Sequence, residues 1–402
     1  MQEETRSYQE VRFNVVILIL GALTAFGSLS IDMYLPSFPA IAKDMSTSLS
    51  MVQLSLASFF IGLAFGQIFY GPITDRYGRK KPLYVGLSIY TIASLVCAST
   101  KSVEMLILFR FLQALGACSG IVIARAAVRD LFSQQDTAKV FSLLMLIMGV
   151  APIVAPLVGG YVSAVLGWRA IFIILALFSS ACLLAVIFIL PETHRPDGRV
   201  RIQDSIKIYG RILRDRHYMG YALAAASAQA GMFAYVTGSS FVFIDLFGVP
   251  AEKFGWIFGA NALGLIFFSQ VNGRLLLRFG YEQILRKSLL AVAFFSLVLG
   301  VAGVFNAGFW VVSIPLFLLL STMGMVSPNS TAGAMATQKQ SAGSGSALLG
   351  TLQFSAAATA SAVVSKFDNG TLMPMVGTIA FCGILSLLIH RLMIVRKSEK
   401  RA

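Results

Sequence analysis

The stretch GPITDRYGRK, residues 71–80, returns 202 positions later as GRLLLRFGYE, residues 273–282. Gly71 aligns with Gly273, Arg76 with Arg278, Tyr77 with Phe279 and Gly78 with Gly280. Each copy follows the second long apolar segment of its half of the chain, and six such segments stand on either side of a polar interruption. Six helices per half keep the two copies in the same orientation, the parallel-repeat arrangement of bundles that rock about a central site.

The rest of the chain supports a membrane setting for that repeat. Of its 402 residues 57% are hydrophobic and only 12% charged, where an ordinary soluble domain carries about 25% charge. Apolar segments of about 20 residues, long enough to cross a hydrocarbon core of about 30 Å as helices, are centred near residues 24, 61, 91, 116, 150, 179, 230, 264, 294, 320, 353 and 382. The period-two alternation of membrane barrel strands is absent. The first segment is too long for a signal-peptide core and lacks a small-residue cleavage pattern, so it reads as a retained helix. The fold class expected is therefore all-α integral membrane, with twelve transmembrane helices in two six-helix pseudo-repeat bundles. The divisions are a tail at 1–12, a first bundle at 13–190, a loop at 191–216, a second bundle at 217–394 and a tail at 395–402. Within the polar stretch PETHRPDGRVRIQDSIKIYGRILRDRHY, residues 191–218, the SIKIYGRIL portion mixes basic and apolar residues at helical spacing. It reads either as a helix on the membrane surface or as a flexible hinge.

The net charge of +14 is topological. Assigning loops alternately to two sides puts 25 of the 32 Lys and Arg on the side holding both termini and five on the other, with Arg110 and Arg125 inside a helix. The positive-inside rule then places both termini in the cytoplasm, and no nucleic-acid partner is expected. Cys97, Cys118, Cys182 and Cys382 lie in apolar segments, as packing residues. His194, His217 and His390 sit at segment ends as interfacial side chains without ligand spacing, so no metal is expected. There is no G-x-x-x-x-G-K-[ST] loop for ATP, and no nucleophile with a base, so neither an enzyme nor a cofactor is expected.

Charge inside the spans is scarce. Asp32 is the only charged residue in the run from Phe13 to the prolines Pro36 and Pro39, where ionising it in a bilayer costs roughly 3 kcal/mol on insertion scales. Counting along the helices puts Arg110 at a similar depth, while Arg125, fifteen residues later, lies about 22 Å further on. Arg125 can snorkel beside Arg129 and Asp130.

The motifs together resemble the major facilitator superfamily, and within it the drug:proton antiporters of the bicyclomycin resistance (Bcr/CflA) group. GPITDRYGRKKP, residues 71–82, is similar to the superfamily's loop between helices 2 and 3. Gly71 and Gly78 suit a tight turn and close backbone approach, Arg76 and Arg79 add to its basic charge, and the resemblance implies that Asp75 pairs with neighbouring arginines and latches the cytoplasmic side. LFRFLQALGACSGIVIARAAVRDLF, residues 108–132, resembles the helix 4 motif through Arg110 and Gln113, with Ala114 in place of a frequent glycine. GVAPIVAPLVGGYV, residues 149–162, resembles the antiporter motif of helix 5. There Pro152, Pro156, Gly159 and Gly160 imply a bend or a tight helix contact, and Ala155 departs from the common form. SIDMYLPSFPAI at 30–41, LGWRAIF at 166–172, LPET at 190–193 and GSGSALLGTLQF at 343–354 resemble the bicyclomycin group in particular.

The resemblance implies a proton-coupled exporter of small drug-like molecules of the bicyclomycin, chloramphenicol or sulfonamide type. The alternative is export of an amino acid, sugar or other metabolite. Asp32 is expected to exchange a proton with Arg110 beside it as a tuning partner, since desolvation and a nearby guanidinium act in opposite senses on a carboxyl. The substrate is expected between the halves, with Tyr34, Gln53, Phe59, Gln113, Gln229, Met232, Phe233, Tyr235, Asn261 and Gln353 as the aromatic and polar candidates. The partners are then a small molecule, protons and the lipid bilayer, with the chain monomeric in a bacterial inner membrane.

Overall fold

The computed structural model describes residues 2–194, 202–338 and 341–395. The first half contains α1 (Gln2–Asp32), α2 (Phe38–Asp44), α3 (Leu49–Tyr77), α4 (Lys80–Ser99), α5 (Val103–Leu131), α6 (Gln134–Leu166) and α7 (Arg169–Phe188). A short helix α8 (Ile202–Arg214) precedes the second half, which contains α9 (Arg216–Ser240), α10 (Ala251–Leu275), α11 (Tyr281–Val304), α12 (Phe309–Met335), α13 (Ala342–Lys366) and α14 (Met373–His390). Residues 195–201 of the loop and 396–402 of the last tail lie outside the described residues. The segment read as an N-terminal tail is from Gln2 part of α1.

Local chemistry sets the helix ends. Ser48, Ser102 and Ser133 accept hydrogen bonds from the backbone N–H of Met51, Met105 and Asp136, satisfying donors that a helix N-terminus leaves free. Pro36 and Pro39 occupy the opening positions of a 3-10 turn (Leu35–Ser37) and of α2, where a missing N–H does no harm. They jog the chain without ending the span, and residues Asn14–Asp44 form one apolar stretch.

Eleven stretches among the described residues are long and apolar enough to cross a membrane. The helix outside that set is α9, whose 25 residues still reach about 37 Å. Its composition follows from its position. It packs against α12, α13, α14 and the Leu35–Ser37 turn, and 19 of its 25 residues, Ser227, Thr237, Ser239 and Ser240 among them, are buried. A helix enclosed by protein gains more from small side chains that admit close neighbours than from lipid-like ones.

The pairing of helices repeats between halves. α3 with α5, α4 with α5 and α4 with α7 correspond to α10 with α12, α11 with α12 and α11 with α14; α1 with α6 corresponds to α9 with α13. The halves meet along two seams, α3 against α13 and α6 against α10. We call the end carrying the α3–α4 loop the basic end, and the other the far end. The SIKIYGRIL portion forms most of α8, a surface helix and not a hinge. Its Tyr209 and Ile212 are buried, and the Tyr209 hydroxyl donates to the Ile68 carbonyl at 3.1 Å.

Candidate functional site

Arg110 is fully buried on α5. Its Nη1 donates to Gln113 Oε1 at 2.6 Å and its Nη2 to the Ser30 carbonyl at 2.9 Å, while Nε has no partner. The guanidinium lies 4.2 Å from the Phe59 ring centre and 4.7 Å from that of Tyr34. Neighbouring polar groups are committed: Gln113 Nε2 donates to Ser94 Oγ at 2.7 Å, the Ser30 and Tyr90 hydroxyls are 2.6 Å apart, and those of Tyr34 and Ser55 are 2.9 Å apart. This is a cation in an aromatic and neutral polar nest inside the first half, with no carboxylate in contact among the described residues.

The expected pairing of Asp32 with Arg110 is therefore not present. Ser30 and Tyr34, both touching the guanidinium, are four residues apart and share one face of the helical path. Asp32 lies midway, two residues from each, and so projects to the opposite side. Arg110 reaches the carbonyl of Ser30, two residues before Asp32, but the direction around the axis separates the two charges. Asp32 is 6% exposed, and among the described residues no hydrogen bond or ion pair reaches its carboxyl. The following turn, Leu35–Ser37, packs on α6 of the first half and on α10 and α9 of the second. On α9 the Tyr235 hydroxyl accepts from Asn261 Nδ2 at 2.9 Å, and the Tyr235 ring stacks on Phe258 at 5.5 Å. The end of α1 that carries Asp32 thus lies next to the place where the halves meet.

The other substrate candidates divide in the same way. Tyr34, Phe59 and Gln113 gather around Arg110 in the first half. Tyr235 and Asn261 are bonded to each other on α9 and α10. Phe233 meets Phe60 across the halves at 4.5 Å and Phe354 at 6.3 Å. Gln229 donates to the Met232 sulfur at 3.8 Å, and Gln353 is partly buried on α13. Gln53 is 2% exposed with its Oε1 unpartnered. It lies three residues after Ser50, whose carbonyl accepts from Ser365 of the second half. Phe60 and Phe354 were missed because an aromatic residue in a span looks the same whether it meets lipid or protein.

At the basic end, Arg79 organises the loop. Its Nη1 donates to Asp75 at 2.9 Å and Thr74 Oγ1 at 2.8 Å, and its Nε to Asp130 at 2.9 Å. Gly78 turns with φ +82° and ψ −179°, beside Glu192, which accepts from the Arg79 N–H at 2.8 Å and the Lys80 N–H at 3.1 Å. Thr193 donates to Asp130 at 3.2 Å. Glu192 and Thr193 of the LPET stretch are thus members of this network. Gly71 lies inside α3 with open space where a Cβ would stand, so it forms no turn or close approach here. Arg76 lies over the Tyr77 ring at 5.4 Å. Arg129 donates to the Arg125 carbonyl at 3.4 Å, and neither of these arginines joins an ion pair among the described residues. Asp75 thus pairs with a neighbouring arginine, Arg79, as expected, and among the described residues every ion pair of the motif lies within the first half. In the second copy Leu277 stands at the position of Asp75.

α6 runs without a break through Pro152 and Pro156. Its glycines serve different seams: Gly159 meets the Met33 carbonyl of the α1 end, and a Cβ on Gly160 would lie 3.0 Å from the Ala251 carbonyl of α10. His390 differs from the interfacial reading, being 2% exposed with both ring nitrogens unpartnered. The four cysteines are free and buried.

Comparison with known proteins agrees with this architecture. The sequence profile described as Major Facilitator Superfamily matches residues 19–361. The chain is 34% identical over 390 residues to the "Bicyclomycin resistance protein homolog" of Haemophilus influenzae, covering 96% of this chain and 98% of that one. It is 29% identical to "Multidrug resistance protein D" of Escherichia coli, covering 84% and 85%. Its fold matches the crystal structure of a D-xylose-proton symporter with a TM-score of 0.74 at 14% identity, over 96% of this chain and 97% of that one.

Proposed function

The chain belongs to the major facilitator superfamily, and from that premise we propose that it is a proton-coupled exporter of small drug-like molecules working by alternating access. The cargo class is of the bicyclomycin, chloramphenicol or sulfonamide kind, in keeping with relatives named for bicyclomycin and multidrug resistance. It acts as a monomer in a bacterial inner membrane, with the basic end and both termini in the cytoplasm, and it needs no cofactor.

The reading rests on Asp32, a carboxyl buried at the end of α1 beside the turn that packs on both halves, with no ion-pair partner among the described residues. Such a group crosses an occluded state most cheaply when it carries a proton, because an unpaired charge in a low-dielectric interior is strongly penalised. Asp32 takes a proton when the far end opens and releases it when the basic end opens, and the drug occupies the returning cavity. One charge moving down about 150 mV releases about 3.5 kcal/mol, and each tenfold of concentration costs about 1.4 kcal/mol. One proton per neutral drug sustains a gradient of about a few hundred-fold.

Inverted vesicles loaded with a pH dye, acidified inside and challenged with chloramphenicol, sulfonamides, amino acids and sugars test this. Drug-evoked proton efflux is expected, and its loss in Asp32→Asn. Efflux at the wild-type level in Asp32→Asn refutes the proton role, and a response to amino acids or sugars alone moves the cargo to a metabolite.

A further inference from the structure

The helix between the halves carries a hydroxyl that neither the cargo path nor the proton path uses. We propose that Tyr209 of α8 is a strap between the halves: it supplies the hydrogen bond that Pro72 removes from α3, and so holds the basic end closed until it releases. This rests on the alternating-access reading above and adds a device that restrains its opening step.

The vacancy is made by the sequence. In an α-helix each carbonyl accepts from the N–H four residues further on, and proline has no N–H to give. Pro72 lies inside α3, so the carbonyl of Ile68 loses its helical donor. The Tyr209 hydroxyl donates to that same carbonyl at 3.1 Å, and Tyr209 is itself buried. In the second copy of the loop the aligned residue is Arg274, which keeps its N–H, so this vacancy belongs to the first copy alone.

α8 is fixed to the second half. One residue, Asp215, separates it from α9. Asp215 accepts from the N–H groups of His217 and Tyr218 and from the side chains of Thr337 and Gln338 beyond α12. The Tyr218 hydroxyl donates to the Gly345 carbonyl of α13 at 2.6 Å, and α8 packs on both α9 and α13. Tyr209 and Ile212 share one apolar cluster with Tyr218, Leu348 and Leu349. From this block the Tyr209 hydroxyl reaches across to the first half.

Two other hydroxyls cross the same seam: Thr351 donates to the Ala64 carbonyl at 3.3 Å, and Ser365 to the Ser50 carbonyl. Those carbonyls stand four residues before Ile68 and Leu54, which carry N–H groups, so each hydroxyl adds a second bond to an oxygen already served. Of the three, the Ile68 carbonyl alone depends on a donor from the other half. When the basic end opens, α3 moves away from α13 while α8 stays with the second half. The bond then breaks and water takes its place at the carbonyl. The strap thus favours the closed basic end by one hydrogen bond, without touching cargo or Asp32.

Nitroxide labels at Lys81→Cys and Ala342→Cys test this. Both positions are exposed at the basic end, one in each half, while the four native cysteines are buried. Double electron–electron resonance on the full-length protein in lipid nanodiscs resolves a short, closed distance and a long, open one. In Tyr209→Phe, which keeps the ring in its cluster, the open-to-closed ratio is expected to rise about three- to tenfold. In a Pro72→Ala background residue 72 again has an N–H for Ile68, and the same Tyr209→Phe change is expected to move the ratio by less than about twofold. A ratio that Tyr209→Phe leaves unchanged overturns the strap. An equal rise in both backgrounds overturns it too, because the tyrosine then acts through packing and not through the Pro72 vacancy. If wild type and every variant show one and the same distance, the halves do not rock, and the alternating-access reading fails together with the strap.

Discussion

Replacing Arg110 by methionine measures how the burial of this cation is balanced. The native guanidinium makes two charge-assisted hydrogen bonds, each contributing about 1.5–3 kcal/mol. It also lies over two rings within 5 Å, each contributing about 1–2 kcal/mol when desolvated. Against this gross gain stands the burial of an ion with no carboxylate beside it, an effective penalty of several kcal/mol. The terms nearly cancel. Methionine removes both sides of that balance and leaves Gln113 Oε1 without its donor, which costs about 1–3 kcal/mol. Arg110→Met is therefore expected to lower stability by no more than about 3 kcal/mol. The double variant Arg110→Met with Gln113→Leu is expected to lie closer to wild type, since replacing both partners of a buried bond is nearly neutral. The four buried free cysteines supply the assay: a thiol-reactive dye reports unfolding of the detergent-solubilised protein on heating. A fall of 4 kcal/mol or more, roughly the cost of breaking a compensated buried pair, would refute the reasoning by showing the arginine to be a net structural element.

The two loop glycines should behave differently although the sequence motif treats them alike. Gly78 occupies a backbone region that is essentially glycine-only, and its Cβ would stand 2.8 Å from Glu192, so Gly78→Ala is expected to cost about 1–3 kcal/mol in the same dye assay. Gly71→Ala meets no atom within 4 Å and, inside α3, is expected to raise stability by about 0.5–1 kcal/mol. Asp215 caps α9 through the N–H groups of His217 and Tyr218 and also accepts from Thr337 and Gln338. Burial raises its proton affinity, but the bonds from Thr337, Tyr218 and His217 outweigh it and hold the carboxyl below its ordinary value of 3.8. A lowered value means that the stabilisation is present above about pH 4 and is lost as pH falls through the lower folded value. Asp215→Ala is thus expected to lower stability by about 1 kcal/mol at neutral pH, with the gap to wild type narrowing under acid. A gap that is constant with pH would show that the charge contributes nothing.

The membrane setting, the number of spanning helices and the repeat were legible in sequence, because hydropathy and helical rise act along the chain. The apolar run, the flanking basic loops and the repeated loop report on length and side alone, and each is a property of consecutive residues. Scarcity of charge drew attention to Asp32 and Arg110 for the same reason. The family followed from motifs such as GPITDRYGRK, whose glycine and charged residues are neighbours in sequence.

Which side chains meet was decided only by the packed structure. Asp32 and Arg110 match in depth, but two residues of helix turn one away from the other, and that angle has meaning only once α9 and α10 stand on one side of α1 and α5 on the other. Glu192 lies 113 residues from Arg79 and joins its loop because α7 ends beside the start of α4. α9 departs from the hydropathy expected of a span because it is surrounded by protein, a fact about its neighbours. Position along an axis is written locally in the chain, whereas direction around that axis acquires a partner only when helices pack.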